Sequence, residues 1–103
     1  MAKEPYKYFL PEARDLVGQL GKGVLELEKG RVRPDAVQGL LRLAHTLKGA
    51  ARVVKQREVA DRAHLIEDAL TPFRDSLDSV PVDTISALLR LVDEVNDRIA
   101  GLA

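Results

Sequence analysis

Two histidines are the residues of this chain best suited to chemistry near neutral pH. A neutral imidazole is a nucleophile in this range, and its protonation state responds to its neighbours. His45 is followed along the chain by Lys48, Gly49 and Arg52, and the second histidine is His64. Fixed positive charge beside an imidazole offsets the negative charge of an incoming phosphate group. An imidazole with these cationic neighbours is therefore suited to accepting a phosphoryl group.

The elements that must position these residues are helices. Apolar residues recur at steps of three and four throughout the chain, which is the period of an amphipathic helix. They predict four helices, over about 11–29, 35–54, 58–78 and 83–102. Pro72 interrupts the third stripe without changing its phase, so we expect a kink or a restarted turn there and a helix end near Asp78. The predicted fold is all-α, an antiparallel up-down-up-down four-helix bundle.

A helical wheel places both histidines on the flank of the bundle, outside its core. On the second helix, Lys48 and Gly49 lie within about 60° of His45, and the apolar stripe lies on the far side. The third helix repeats the arrangement, with Glu67 on the same side as His64. Adjacent antiparallel helices can bring these two flanks together. Gly49 is unusual there, because a glycine inside a helix costs about 1 kcal/mol relative to alanine. Either a partner must approach the backbone at this position, or the glycine is a tolerated surface substitution.

Composition limits the classes of function that are open. The chain has 103 residues, a formal net charge of zero and no cysteine. This length suits one domain, and the lack of cysteine excludes disulfide scaffolds and thiolate metal sites and fits a cytoplasmic protein. No apolar run is long enough to span a membrane or to act as a secretory signal. Basic residues concentrate in the first half without any nucleic-acid motif, so neither a membrane nor a nucleic acid is expected as a partner.

Three segments resemble a known family. Residues 44–51 (AHTLKGAA) resemble the phosphoacceptor helix of histidine phosphotransfer (HPt) domains, and most closely the N-terminal HPt domain of chemotaxis-type histidine kinases. Residues 9–13 (FLPEA) resemble the first helix of that family, and residues 63–68 (AHLIED) resemble its third. The likeness covers roughly residues 9–102. It departs from the family pattern at residues 53–58 (VVKQRE), which lack the glycine often found between the second and third helices.

The resemblance implies a role for each polar residue on the two flanks. His45 would be phosphorylated on Nε2, and Glu67 would hold the proton on Nδ1 and so orient the ring. Lys48 would stabilise the phosphoryl oxygens, and His64 would join the hydrogen-bond network. Gly49 would leave room for a docking partner. The expected partner-binding surface would also include Leu41, Arg42 and Arg52.

The resemblance also implies a function, that of a phosphotransfer module in a two-component signalling system. The whole chain would be a single HPt domain, the N-terminal module of a larger histidine kinase. An ATP-dependent kinase domain would phosphorylate His45, and an aspartate of a response-regulator receiver domain would then remove the phosphoryl group. No Gly-rich phosphate loop or kinase motif is present, so we expect ATP and magnesium to be bound by the partner domains. No intrinsic ATP-dependent activity is expected of this chain.

Two other functions remain open on the sequence. One is a helical adaptor whose histidines are incidental surface residues. The other is a metal site formed by His45, His64 and Glu67. Carboxylate-bridged bundles repeat a Glu-x-x-His motif on two helices, whereas this chain has a single His-x-x-Glu in the reverse order. The metal site is therefore the less favoured of the two.

Overall fold

The computed structural model describes residues 6–30, 34–75 and 79–103, and within these ranges the regular structure is entirely helical. The elements are α1 (Phe9–Glu28), α2 (Pro34–Val53), α3 (Arg57–Leu70), a 3₁₀ turn (Thr71–Phe73) and α4 (Val82–Leu102). For α1, α2 and α4 the predicted bounds agree to within about two residues.

The four helices form a ring of neighbours. Helix α1 packs against α2 and α4, and α3 packs against the same two helices. Consecutive helices are therefore adjacent, and the last one closes on the first. The bundle is elongated, with extents of 44 × 18 × 17 Å. These findings confirm the predicted all-α, up-down-up-down four-helix bundle.

The core is purely apolar. Each helix contributes one buried stripe, and the largest side chains that are fully buried include Leu20, Leu27, Leu47, Ile66, Leu70 and Leu88. No polar or charged residue among those described is buried. A methyl carbon of Leu40 occupies the space where a Cβ of Gly23 would lie, so α1 and α2 pack closely at this point. The polar residues that could take part in chemistry therefore lie on the flanks of the bundle, outside its apolar core, and the packed stripes set their positions.

Helix α3 is shorter than predicted. Its α-helical part ends at Leu70, at the interruption predicted for Pro72, because Pro72 has no backbone N–H to donate and its ring clashes with the preceding turn. The chain restarts as the 3₁₀ turn, which is the local consequence expected of that proline. The Thr71 hydroxyl donates to the Glu67 carbonyl oxygen at 2.7 Å and closes the end of the helix. The predicted helix end at Asp78 lies outside the described residues.

The connection between α2 and α3 contains a backbone conformation that glycine usually adopts. Lys55 has a φ of 60°, in the left-handed region that favours glycine. The backbone N–H of Gln56 donates to the Ala51 carbonyl at 2.8 Å, and that of Lys55 donates to Arg52 at 3.1 Å. This is the hydrogen-bond pattern of a Schellman motif. The Gln56 side chain also donates to the Tyr6 hydroxyl at 2.5 Å. The turn is thus formed without the glycine, at a cost in backbone strain.

Substitution of Lys55 tests this interpretation. Lys55→Gly should raise the free energy of unfolding by about 1 kcal/mol, because a left-handed backbone costs an L-residue roughly 1–2 kcal/mol and the freedom of glycine in the unfolded chain offsets part of the gain. The midpoint of thermal unfolding should rise by roughly 4–8 °C. Lys55→Ala is the matched control, since it removes the same charge but keeps the strain. Equal stability of the two variants would show that Lys55 is not strained.

Candidate functional site

His45 and Glu67 face each other across the contact between α2 and α3. The Nδ1 atom of His45 lies 3.3 Å from Oε2 of Glu67, although the two residues are 22 positions apart in the chain. An ionised carboxylate can only accept a hydrogen bond, so the imidazole proton of this pair lies on Nδ1. The lone pair of the neutral ring is then on Nε2. The His45 side chain is 72% exposed, so a partner molecule can reach this nitrogen.

Lys48 engages the other oxygen of the same carboxylate. Its Nζ lies 2.5 Å from Oε1 of Glu67, and the lysine and glutamate side chains are only 13% and 18% exposed. Oε1 is buried from solvent and makes no hydrogen bond of good angle within the described part of the chain. The ammonium group of Lys48 is therefore its electrostatic partner. One carboxylate thus connects an exposed imidazole to a largely buried lysine one helical turn further along α2.

The pKa of Glu67 reflects these contacts. Burial alone would raise it, because a charged carboxylate is less stable away from water. The short contact and charge of Lys48, followed by the hydrogen bond and charge of His45, outweigh burial and hold the pKa of Glu67 below its ordinary value. Glu67 is consequently ionised at neutral pH and available to accept the His45 proton.

A cleft of about 390 Å³ opens beside His45. It is lined by Gln38, Leu41, Arg42, His45, Glu67, Thr71 and Arg74. Leu41 and Arg42, both predicted from sequence to contact a partner, therefore lie next to the histidine. Gln38 and Arg74 were not singled out from the sequence. A signal for Arg74 was present, because Glu67, Thr71 and Arg74 follow one another at steps of four and three and so share one helical face.

The structure does not bring His64 into the group formed by His45, Glu67 and Lys48. The Nε2 atom of His64 lies 3.6 Å from Oδ1 of Asp68, one turn later on α3, and its side chain is 55% exposed. The place of His64 in the network thus differs from the predicted one.

The remaining predicted residues lie on the open surface of α2. Gly49 is exposed, and a Cβ added to it would meet nothing within 4 Å. Arg52 is also exposed. It does not line the cleft at His45. A contact between Arg52 and a partner would therefore lie further along α2, outside the cleft.

No group of three or more His, Asp and Glu residues in the ranges 6–30, 34–75 and 79–103 is arranged to hold a metal ion. No helix in the described part of the chain is long and apolar enough to cross a membrane.

Comparison with known families agrees with this geometry. The profile of the Hpt domain family matches residues 6–98, nearly the whole chain. The chain belongs to the Hpt domain family. It is a phosphotransfer module of two-component signalling, as the sequence predicted. No solved structure gives a significant match.

The curated relatives of this Hpt domain are much longer proteins. It is 30% identical over 92 residues to "Chemotaxis protein CheA" of Borreliella burgdorferi, covering 89% of this chain and 11% of that protein. It is 34% identical over 93 residues to the protein of that name from Treponema pallidum, covering 90% and 12%. It is 32% identical over 97 residues to "Gliding motility regulatory protein" of Myxococcus xanthus, covering 94% and 12%. The chain thus spans roughly an eighth of the length of each relative.

The lowered pKa of Glu67 predicts a specific dependence of stability on pH. The unfolded chain binds a proton at this carboxyl more readily than the folded chain does, so ionised Glu67 stabilises the fold. This stabilisation is complete above the ordinary value of 4.5 and is lost as pH falls through the lower folded-state pKa. Glu67→Gln should therefore be less stable than the parent at neutral pH, and the difference should shrink in acid.

Urea unfolding between about pH 3 and pH 7 measures this difference. Glu28→Gln, at an exposed carboxylate at the end of α1, is the control for the loss of one negative charge. The prediction fails if the gap between Glu67→Gln and this control stays constant across the range.

Proposed function

We propose that His45 is the phosphoacceptor of this Hpt domain. It receives a phosphoryl group from an ATP-dependent histidine kinase domain and passes it to an aspartate of a response-regulator receiver domain. The observation that carries the proposal is the contact of Nδ1 with Glu67, which leaves Nε2 with a free lone pair on an exposed side chain. An incidental surface histidine would not need a largely buried carboxylate held in place by a lysine.

The chemistry follows from that tautomer. In the first step, the Nε2 lone pair forms a bond to the γ-phosphorus of ATP as the bond to the bridging oxygen breaks, and ADP leaves with the electron pair. The proton on Nδ1 stays where it is, and the ring becomes positively charged. Ionised Glu67 stabilises this charge through the hydrogen bond. In the second step, a carboxylate oxygen of the receiver aspartate attacks phosphorus, and the electrons of the N–P bond return to Nε2.

Lys48 has two roles in this proposal. Its ammonium group keeps Glu67 ionised by pairing with Oε1. It also places a positive charge within one helical turn of His45, where it offsets the charge of the phosphoryl oxygens. Because the lysine side chain is largely buried, this charge is held in position by packing.

The partners are proposed from the relatives and from the surface around His45. The relatives named as chemotaxis proteins are long enough to contain further domains, and we propose that this chain is the N-terminal module of such a histidine kinase, located in the cytoplasm. ATP and magnesium would be held by the kinase domain. A receiver domain would dock over the exposed face of α2, where Leu41, Arg42, Gly49 and Arg52 offer a small, basic surface. Exposed charges of this kind chiefly raise the rate of association.

Substitution of His45 tests the phosphoacceptor role. Incubation with the catalytic domain of a chemotaxis-type kinase and ATP should place an acid-labile, base-stable phosphate on the parent chain and none on His45→Gln. Mass spectrometry measures the incorporation, and circular dichroism verifies that the variant is folded. His64→Gln is the matched control, because that histidine is exposed and pairs with Asp68. Phosphate on His45→Gln would exclude this role, and an unlabelled parent would favour a helical adaptor.

Substitution of Glu67 tests the orientation of the ring. Glu67→Ala should slow phosphoryl transfer by about 10–100-fold without abolishing it, because the nucleophile remains but the hydrogen bond that orients it is lost. Rates of transfer from the kinase domain, measured at equal occupancy of the complex, give the comparison. Asp68→Ala removes a neighbouring exposed carboxylate that does not contact His45. If both variants matched the parent in rate, Glu67 would have no orienting function.

A further inference from the structure

Two arginines face the cleft from opposite sides. Arg42 lies on α2, one turn before His45, and Arg74 lies just after the 3₁₀ turn that follows α3. Because α2 and α3 pack antiparallel, the first half of α2, which carries Arg42, lies beside the end of α3, which precedes Arg74. The backbone of Arg74 is in the right-handed helical region, and a side chain in that conformation leans toward the preceding turn. Arg74 lines the same cleft as His45 and Glu67.

Both arginines are uncommitted, unlike the arginines on the opposite face of the bundle. Between α3 and α4, Arg62 pairs with Glu94 at 2.9 Å and Arg98 pairs with Glu58 at 2.6 Å. Arg42 makes no ion pair or hydrogen bond with any residue in the described ranges. The nearest carboxylate to Arg74 is the adjacent Asp75 at 3.9 Å, and both side chains are largely exposed. Such a contact contributes little and is readily given up.

The charge balance of the cleft favours an anion. Within the described ranges Glu67 is the one acidic residue that lines it, and Lys48 neutralises that carboxylate from the other side. Among the described residues, Arg42 has no acidic partner and Arg74 has only the exposed Asp75, at 3.9 Å, so the two positive charges are left largely uncompensated. Gln38 adds an amide donor to the same wall. Guanidinium groups bind phosphate oxygens through paired N–H donors, which gives them an advantage over lysine at such a site.

We infer that Arg42 and Arg74 form an anion site that binds the phosphoryl group once it is on His45. This inference rests on the proposed function and extends it from the nucleophile to the state that follows transfer. The two guanidinium groups stabilise phosphorylated His45 relative to the free histidine. They act as positioning residues for the phosphoryl group, and they shift the equilibrium of the transfer reaction toward the phosphorylated domain.

An equilibrium measurement separates this role from docking. A kinase domain catalyses the reaction His45 + ATP ⇌ phospho-His45 + ADP in both directions, and its contacts with the Hpt domain change the rate but leave the equilibrium constant unchanged. The phosphorylated fraction is measured in buffers of fixed ATP-to-ADP ratio, approached from both sides. Arg42→Ala and Arg74→Ala should each lower the equilibrium constant by about threefold to tenfold, the size of one exposed charge-assisted contact. Arg74→Lys should restore part of the loss.

Arg90→Ala is the matched control. It removes the same charge from an exposed position on α4, which does not border the cleft, and it should leave the equilibrium constant unchanged. Equilibrium constants of Arg42→Ala and Arg74→Ala equal to the parent's would overturn the anion site, even if their rates fell, and would assign the arginines to docking alone. An equal loss in Arg90→Ala would also overturn it, because the effect would then belong to net charge. A parent that is never phosphorylated would instead refute the proposed function, and the anion site with it.

Discussion

The arrangement of the site depends on one carboxylate that contacts both a histidine and a lysine. Glu67 uses one oxygen for His45 and the other for Lys48, and both of these residues belong to α2. Burial opposes the charge on Glu67, and the contacts with Lys48 and then with His45 outweigh it and hold the pKa of Glu67 below its ordinary value. If Lys48 were absent, the carboxyl group would be more readily protonated and a weaker acceptor for the imidazole N–H. The orientation of an exposed ring is therefore controlled by an ion pair that is largely hidden from solvent.

That ion pair in turn requires α2 and α3 to pack in a fixed register. Leu47 and Ile66, both fully buried, lie next in sequence to Lys48 and Glu67. Sliding either helix by one residue would remove these side chains from the core, at about 2–5 kcal/mol for the loss of each large buried residue. The strained turn at Lys55 and the contact of Gln56 with Tyr6 further constrain how α3 leaves α2. The geometry of the polar site is thus set by apolar residues that take no part in its chemistry.

Much of this arrangement was predictable because it follows from helical period. The apolar stripes determine which face of α2 and α3 is buried, and His45, Lys48 and Glu67 then have to lie on the flank. The pairing of His45 with Glu67 was expected from family resemblance, since a wheel gives a face but no partner. The details that differed depend on local competition. Pro72 ends the α-helical part of α3 at Leu70, a lysine adopts the left-handed conformation usually left to glycine, and His64 contacts Asp68 one turn later on its own helix. Periodicity carries no information on any of these outcomes.

A phosphoryl carrier has to satisfy two opposing requirements. Its nucleophile must be reached by two different partners in turn, so it cannot be enclosed, yet an unconstrained exposed histidine would present the wrong nitrogen part of the time. The bundle resolves this by controlling the ring from the protein side, through Nδ1, and leaving Nε2 free. The need to pass the phosphoryl group on also limits how tightly the domain can hold it. A buried cage of cations would trap the phosphoryl group, whereas the two exposed guanidinium groups of the proposed anion site would favour its arrival by a modest factor and still allow it to leave.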